Sequence, residues 1–204
     1  MIIGIYKIWS MFSYIGLLFG VISIYFSRTN NVKLSLLSLM FASLIDIFDG
    51  TIARKFKRTE KEKQFGIEID SILDTINFGV IPIIIYLNMG YSSWYDYIIS
   101  FLYLSVITMR LAYFNTDLVN LKGINKNYEI YYGFPVTTIP MFLILGFLIC
   151  SITKLKLIMP LTMIISMILF ITKIKIKRYK NKWFNIILII IGLSLIALMF
   201  GVVK

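Results

Sequence analysis

The chain has no histidine and a single cysteine, Cys150. Without histidine there is no imidazole base, no Ser–His nucleophile and no His-ligated zinc. With one cysteine there is no intramolecular disulfide and no thiolate metal cluster. Acids are scarce as well, 10 Asp and Glu against 21 Lys and Arg, for a net charge of +11. Charged residues of both signs make up 15% of the chain, where a soluble domain carries about one quarter. Any acid–base or metal chemistry therefore falls to carboxylates. The sequence contains no internal repeat and no low-complexity segment. Its first apolar stretch lacks a basic leader and a small-residue cleavage site, so it reads as a retained span and not as a cleaved signal peptide.

What fills the chain is apolar: 59% of its residues are hydrophobic. An excess of that size has to face lipid. A helix needs about 20 mostly apolar residues to cross a bilayer, and seven stretches qualify: 9–27, 33–53, 67–89, 95–115, 134–153, 155–172 and 183–203. Length and composition predict one membrane-embedded catalytic-size domain over residues 1–204, an all-α polytopic transmembrane bundle, with 1–8 as a short interfacial helix.

The basic residues flank these spans, which favours a topological role and contact with membrane lipids over nucleic-acid binding. Lys7, the cluster Arg54, Lys55, Lys57, Arg58, Lys61 and Lys63, then Lys122 and Lys126, and the linker KIKIKRYKNK over 173–182 all fall on one side of the alternating spans. The other side holds Arg28, Lys33, Lys154, Lys156 and Lys204. The positive-inside rule then places the N-terminus, and the loops after spans two, four and six, in the cytoplasm of a multi-pass cell-membrane protein.

Against this background the acids stand out. A charged side chain at the centre of a span costs about 2.5–3.5 kcal/mol on insertion scales, yet Asp46, Asp49, Asp70 and Asp74 lie in two adjacent spans. Spacings of three and four put each pair on one helix face. Both pairs sit near the cytoplasmic ends joined by the 54–65 loop, so the two helices are antiparallel neighbours and the four carboxylates can meet. Such a group needs cations, either divalent ions or nearby lysines and arginines. Oxygen-only ligands suit magnesium, manganese or calcium, and four acids suit two ions better than one. Gly50, Ala53 and Gly66 lie within a turn of these acids and leave room for a flat ligand or a close helix. Arg54 is placed to meet a phosphate. Arg110, a cation within span four, needs an anionic partner, which is one of the aspartates, Asp117, or a substrate carboxylate or phosphate. Asn77, three residues past Asp74, shares its face and can orient a polar acceptor.

The string from 46 to 74, DIFDGTIARKFKRTEKEKQFGIEIDSILD, resembles the signature of the CDP-alcohol phosphotransferase family, D-x-x-D-G-x-x-A-R followed after a gap by G-x-x-x-D-x-x-x-D. Every fixed position is present, in Asp46, Asp49, Gly50, Ala53, Arg54, Gly66, Asp70 and Asp74. The gap from Arg54 to Gly66 is a few residues longer than usual and very basic. Within the family, DSILDTINFG over 70–79 looks like the D-S-x-x-D-x-x-x-F-G of phosphatidylserine synthases. RLAYFN over 110–115 resembles their R-L-A-R-F-N, with Tyr113 in place of the second arginine, and Gly133-Phe134-Pro135-Val136 resembles their G-L-P-x. The resemblance runs from about 40 to 145.

The resemblance implies a six-helix core, with the seventh span as an addition, and a homodimer. It implies transfer of a phosphatidyl-type group from a CDP-linked lipid, CDP-diacylglycerol or CDP-archaeol, to a small alcohol with release of CMP. Asp46, Asp49, Asp70 and Asp74 would be metal ligands for two divalent cations. Asp49, Gly50, Ala53, Arg54 and Gly66 would bind the nucleotide of the CDP-lipid. The absence of histidine makes Asp74 the expected base for the acceptor hydroxyl. The subfamily segments point to L-serine, with Asn77 and Arg110 as acceptor contacts. Inositol phosphate, glycerol phosphate or a simple amino alcohol would serve the same chemistry, and a divalent-cation transporter would use the same acids but leave Gly50, Ala53, Arg54 and Gly66 without a purpose.

Overall fold

The computed structural model describes residues 4–53, 55–120, 130–132, 134–173, 175–177 and 183–202. They form α1 (Ile8–Arg28), α2 (Val32–Ala53), α3 (Glu60–Asp74), a π-helical turn (Thr75–Val80), α4 (Ile81–Asn88) and α5 (Trp94–Asn120). A short strand β1 (Ile130–Tyr132), a 3-10 turn (Val136–Thr138), α6 (Ile139–Thr153), α7 (Ile158–Ile171), a strand β2 (Lys175–Lys177) and α8 (Trp183–Val202) complete the order. The fold is an all-helical polytopic bundle, as composition predicts.

By length and composition four stretches are able to cross a membrane: Ser10–Arg28, Glu60–Asn88, Trp94–Thr116 and Val136–Thr153. Helix α2 is as long, at 22 residues, but carries Lys33, Asp46 and Asp49. The apolar stretches in α7 and α8, Ile158–Ile171 and Ile186–Val202, are shorter. Large apolar side chains point outward along the helices, among them Leu18, Phe101, Met109, Ile152, Ile165 and Leu198, as they must where the surroundings are lipid.

The third span begins earlier than its hydropathy indicates, at Glu60 instead of about 67. Thr59 and Glu62 form a capping box: Glu62 N–H donates to Thr59 Oγ1 at 3.2 Å and Thr59 N–H donates to Glu62 Oε2 at 2.9 Å. This satisfies two of the amides that a helix start leaves without partners. Lys7 reaches Glu62 at 3.8 Å and so ties the N-terminal segment to the α2–α3 connection. At the other joint the chain turns between α6 and α7 at Lys154, whose φ of 60° lies in the left-handed region and ends α6.

Packing inside the bundle uses small residues. Ser13, Gly16, Gly20, Ser23 and Ser27 recur along α1 at alternating spacings of three and four, one seam of the helix. The seam faces α2 on one side and the π-helical turn and α4 on the other; towards α2, Ser23 Oγ donates to Ser35 O and Ser35 Oγ to Ser23 O, both at 2.8 Å. Lower dielectric and close backbones make such side-chain-to-backbone bonds the adhesive between membrane helices. Further along, Asn88 Nδ2 donates to Ser27 Oγ at 3.0 Å. Apolar side chains from α2 (Leu36, Leu39, Met40), the π-helical turn (Phe78), α4 (Ile81, Ile85), α5 (Ile107), α6 (Leu143, Ile144) and α7 (Met159, Met163) form the buried core.

Helix α8 is an addition to this core. It packs on α2 and α6, with Met199 fully buried and Gly192 against Met40 and Met141. The antiparallel pair β1–β2, with Tyr131 opposite Ile176, joins the α5–α6 and α7–α8 connections. Those connections therefore share one end of the bundle, as the alternation of basic loops requires.

Candidate functional site

Asp46 and Asp49 lie on the C-terminal half of α2, and Asp70 and Asp74 close α3. The tight α2–α3 connection folds one helix back along the other and brings the four acids together. Carboxylate oxygens of Asp46, Asp49 and Asp70 lie within 4.8 Å of one another. All four acids line one small cavity with Ser13, Gly16, Ala42, Ile45, Leu73 and Asn77. Its free volume is about 10 Å³.

Among the described residues the ion pairs Lys7–Glu62 and Lys63–Glu60 involve none of the four aspartates. Four carboxylates in a poorly hydrated site repel one another, and a bound cation would supply compensating charge. The donor set is carboxylate, hydroxyl and amide oxygen with neither sulfur nor imidazole, which fits a hard divalent ion and not a soft one.

Helix α1 contributes to this site, which the acids alone do not reveal. Ser13 Oγ donates to Asp49 Oδ2 at 2.6 Å, and Asp49 is only 6% exposed. A hydroxyl that holds one carboxylate oxygen fixes the plane of the group and leaves the other oxygen free for a ligand. Gly16 and Gly20 lie beside Asn77. The signal for these residues is the spacing 13, 16, 20, 23, 27, a polar and small-residue seam in an otherwise apolar span.

Asn77 sits in the π-helical turn that follows Asp74. Its side chain is 4% exposed, and among the described residues its Oδ1 is the one buried side-chain polar atom without a hydrogen-bond partner. The wide turn also frees a main-chain carbonyl: Tyr103 Oη donates to Phe78 O at 2.5 Å, both side chains fully buried. Such single π-turns are frequent where a helix lines a functional site.

Two of the three subfamily-like segments, 70–79 and 110–115, meet. Asn115 Nδ2 donates to Ser71 Oγ at 2.9 Å, and Ser71 Oγ lies 3.1 Å from Asn115 Oδ1. This pair clamps α5 to α3 one position beyond Asp70.

The remaining expected residues divide into three groups. Gly50, exposed, and Ala53 and Gly66, half-buried, are in place along α2 and α3 but do not line the cavity. Arg54, Asp117's side chain and Gly133 lie outside the described residues. Arg110 is placed elsewhere: among the described residues its guanidinium donates to the carbonyl oxygens of Phe134 and Phe170, the latter at 3.3 Å, and lies over the rings of Phe114 and Phe170. Helix ends leave carbonyls without partners, and Arg110 takes up that of Phe170 near the end of α7 together with that of Phe134 before α6. It does not line the carboxylate cavity.

Fold and site together define a membrane-integral helical protein with a buried cluster of oxygen donors between its second and third apolar stretches. A family model described as CDP-alcohol phosphatidyltransferase matches residues 7–202. The CDP-diacylglycerol–serine O-phosphatidyltransferase of Methanocaldococcus jannaschii is 31% identical over 187 residues, 85% of each chain. Proteins of the same description from Helicobacter pylori (32% over 108 residues, 52% of this chain and 44% of that one) and Saccharomyces cerevisiae (30% over 117 residues, 55% and 40%) are also similar. The chain belongs to the CDP-alcohol phosphatidyltransferase family and is an enzyme, a transferase of phospholipid biosynthesis acting on CDP-alcohol substrates.

Proposed function

We propose that the protein transfers a phosphatidyl-type group from a CDP-linked lipid, CDP-diacylglycerol or CDP-archaeol, to L-serine, with release of CMP. The observation that carries the reading is the meeting of Asp46, Asp49, Asp70 and Asp74 in one cavity without a protein cation among the described residues. Those four side chains would hold two divalent cations, magnesium, manganese or calcium. Bound there, the ions supply neutralisation of the pyrophosphate and of the leaving CMP.

The chain's own residues do the rest. Ser13 holds Asp49 in place. Gly50 and Ala53 leave α2 bare enough for the nucleotide to lie against it beside Asp49, with Gly66 opposite, and Arg54 meets a phosphate. Asp74 accepts the proton of the serine hydroxyl. The serine oxygen then attacks the phosphorus that bears the lipid, its new bond forming as the bond from that phosphorus to the CMP oxygen breaks, and CMP leaves with the electron pair. In-line displacement puts the acceptor opposite CMP, on the side of Asn77.

Serine is supported by the similar chains and by the lining of the cavity, which brings acids, a hydroxyl and an amide but no Lys or Arg among the described residues. The whole chain acts as one catalytic domain, as a homodimer, with its N-terminus and active site on the cytoplasmic side. Supplying purified protein, manganese and CDP-lipid with one acceptor at a time tests the assignment. CMP release is expected with L-serine; release with inositol phosphate or glycerol phosphate and none with serine would overturn it.

A further inference from the structure

We propose that Asn77 is the residue that recognises the carboxylate of the acceptor, and that Gly20 of α1 holds its carboxamide in the recognising orientation. The inference rests on the serine reading above. Asn77 is 4% exposed, and its Oδ1 has no hydrogen-bond partner. That oxygen occupies the space in which a Cβ of residue 20 would stand: a methyl built on Gly20 would overlap it and come within 2.7 Å of Ile81 Cδ1. The other end of the amide, Nδ2, lies 3.9 Å from the place of a Cβ on Gly16, and Gly16 and Asn77 both line the carboxylate cavity. With the oxygen seated against Gly20, the amide N–H groups are the ones offered to the cavity.

Among the described residues no other lining residue offers a free donor. Ser13 gives its hydroxyl hydrogen to Asp49, the four acids accept, and the other side chains there are apolar. Arg110 is engaged by carbonyls elsewhere. A carboxylate entering beside four aspartates needs a donor, and a neutral amide supplies one without pairing with the aspartates as a guanidinium would. The glycine therefore has a chemical purpose: any side chain at position 20 would push the carboxamide out of the notch.

The test measures CMP release by the purified full-length protein with manganese and CDP-diacylglycerol, varying L-serine and the CDP-lipid separately. Asn77→Ala is expected to raise KM for serine by about 10- to 100-fold, the loss of one hydrogen bond to a charged group, with KM for the CDP-lipid unchanged. Gly20→Ala should shift the same constant in the same direction. Gly20→Ala combined with Asn77→Ala should be no worse than Asn77→Ala, because the methyl then meets only the far end of the flexible Ile81 side chain and no carboxamide. Asn77→Asp, equal in shape, keeps the packing but repels a carboxylate and should lose serine turnover most; retention of wild-type KM in this variant overturns the proposal. Equal rises in both Michaelis constants, or additive effects of the two sites, also overturn it. If the wild-type protein releases no CMP with serine, the serine reading fails first and the inference with it; serine turnover with unaltered KM in the variants sinks the inference alone.

Discussion

Removal of one hydroxyl from α1 should weaken metal binding on α2. Ser13 Oγ donates to Asp49 Oδ2 at 2.6 Å, within the range of short, charge-assisted O–H···O⁻ bonds. Asp49 is 6% exposed, so little water is at hand to replace the donor. In Ser13→Ala the carboxylate keeps its place on the helix but loses the bond that orients it. Outer residues that orient metal ligands are worth about 10- to 100-fold in affinity, or about 1.4–2.7 kcal/mol. A manganese titration of CMP release should therefore shift its midpoint upward by that factor. Direct manganese binding to the protein without substrate, followed by calorimetry, should shift in parallel. Saturating metal should restore most of the turnover, and Ser13→Thr, which keeps the hydroxyl, should stay near wild type. An unchanged manganese midpoint in Ser13→Ala would refute the reasoning and leave Ser13 as a packing residue.

Asp74→Asn should abolish turnover while sparing CDP-lipid binding more than Asp49→Asn does; equal loss of binding in both would contradict Asp74 as base. Tyr103→Phe removes the donor to the Phe78 carbonyl in the π-helical turn, and a hydrogen bond between membrane helices is worth about 0.6–1.7 kcal/mol; thermal unfolding in detergent should show a loss of that order. Arg110→Met leaves the carbonyls of Phe134 and Phe170 without their donor, so stability should fall while KM for serine stays put; a selective rise in that KM would return Arg110 to the acceptor pocket.

The parts of the molecule legible in sequence are those where a residue violates its surroundings. Four aspartates in two apolar stretches are costly unless used, so Asp46, Asp49, Asp70 and Asp74 announced a shared site, and the structure brings them together. The apolar stretches themselves followed from composition, with boundaries set by caps that hydropathy overlooks. Thr59 and Glu62 are spaced as a capping box and start α3 well before its apolar run, a signal present in the sequence but outweighed by the basic loop around it. The contribution of α1 was hidden for the opposite reason. Ser13, Gly16 and Gly20 are small and mild enough to pass as ordinary residues of a membrane helix, and only their alternating spacing sets them apart. The π-helical turn depends on one extra residue in a helical stretch and on the Tyr103 contact 25 residues away, which no local pattern encodes. The carbonyls that Arg110 meets near helix ends were not legible either, because main-chain acceptors carry no residue-specific mark.

The central claim concerns which phosphorus is attacked and by what. CDP-lipid carrying ³²P in the phosphate next to the lipid, mixed with the purified protein, manganese and L-serine, reports both at once. The account predicts that the label moves into a serine-containing lipid recovered in the organic phase, with unlabelled CMP formed one for one. Label recovered in CMP, or no transfer to serine while another acceptor is consumed, would contradict it.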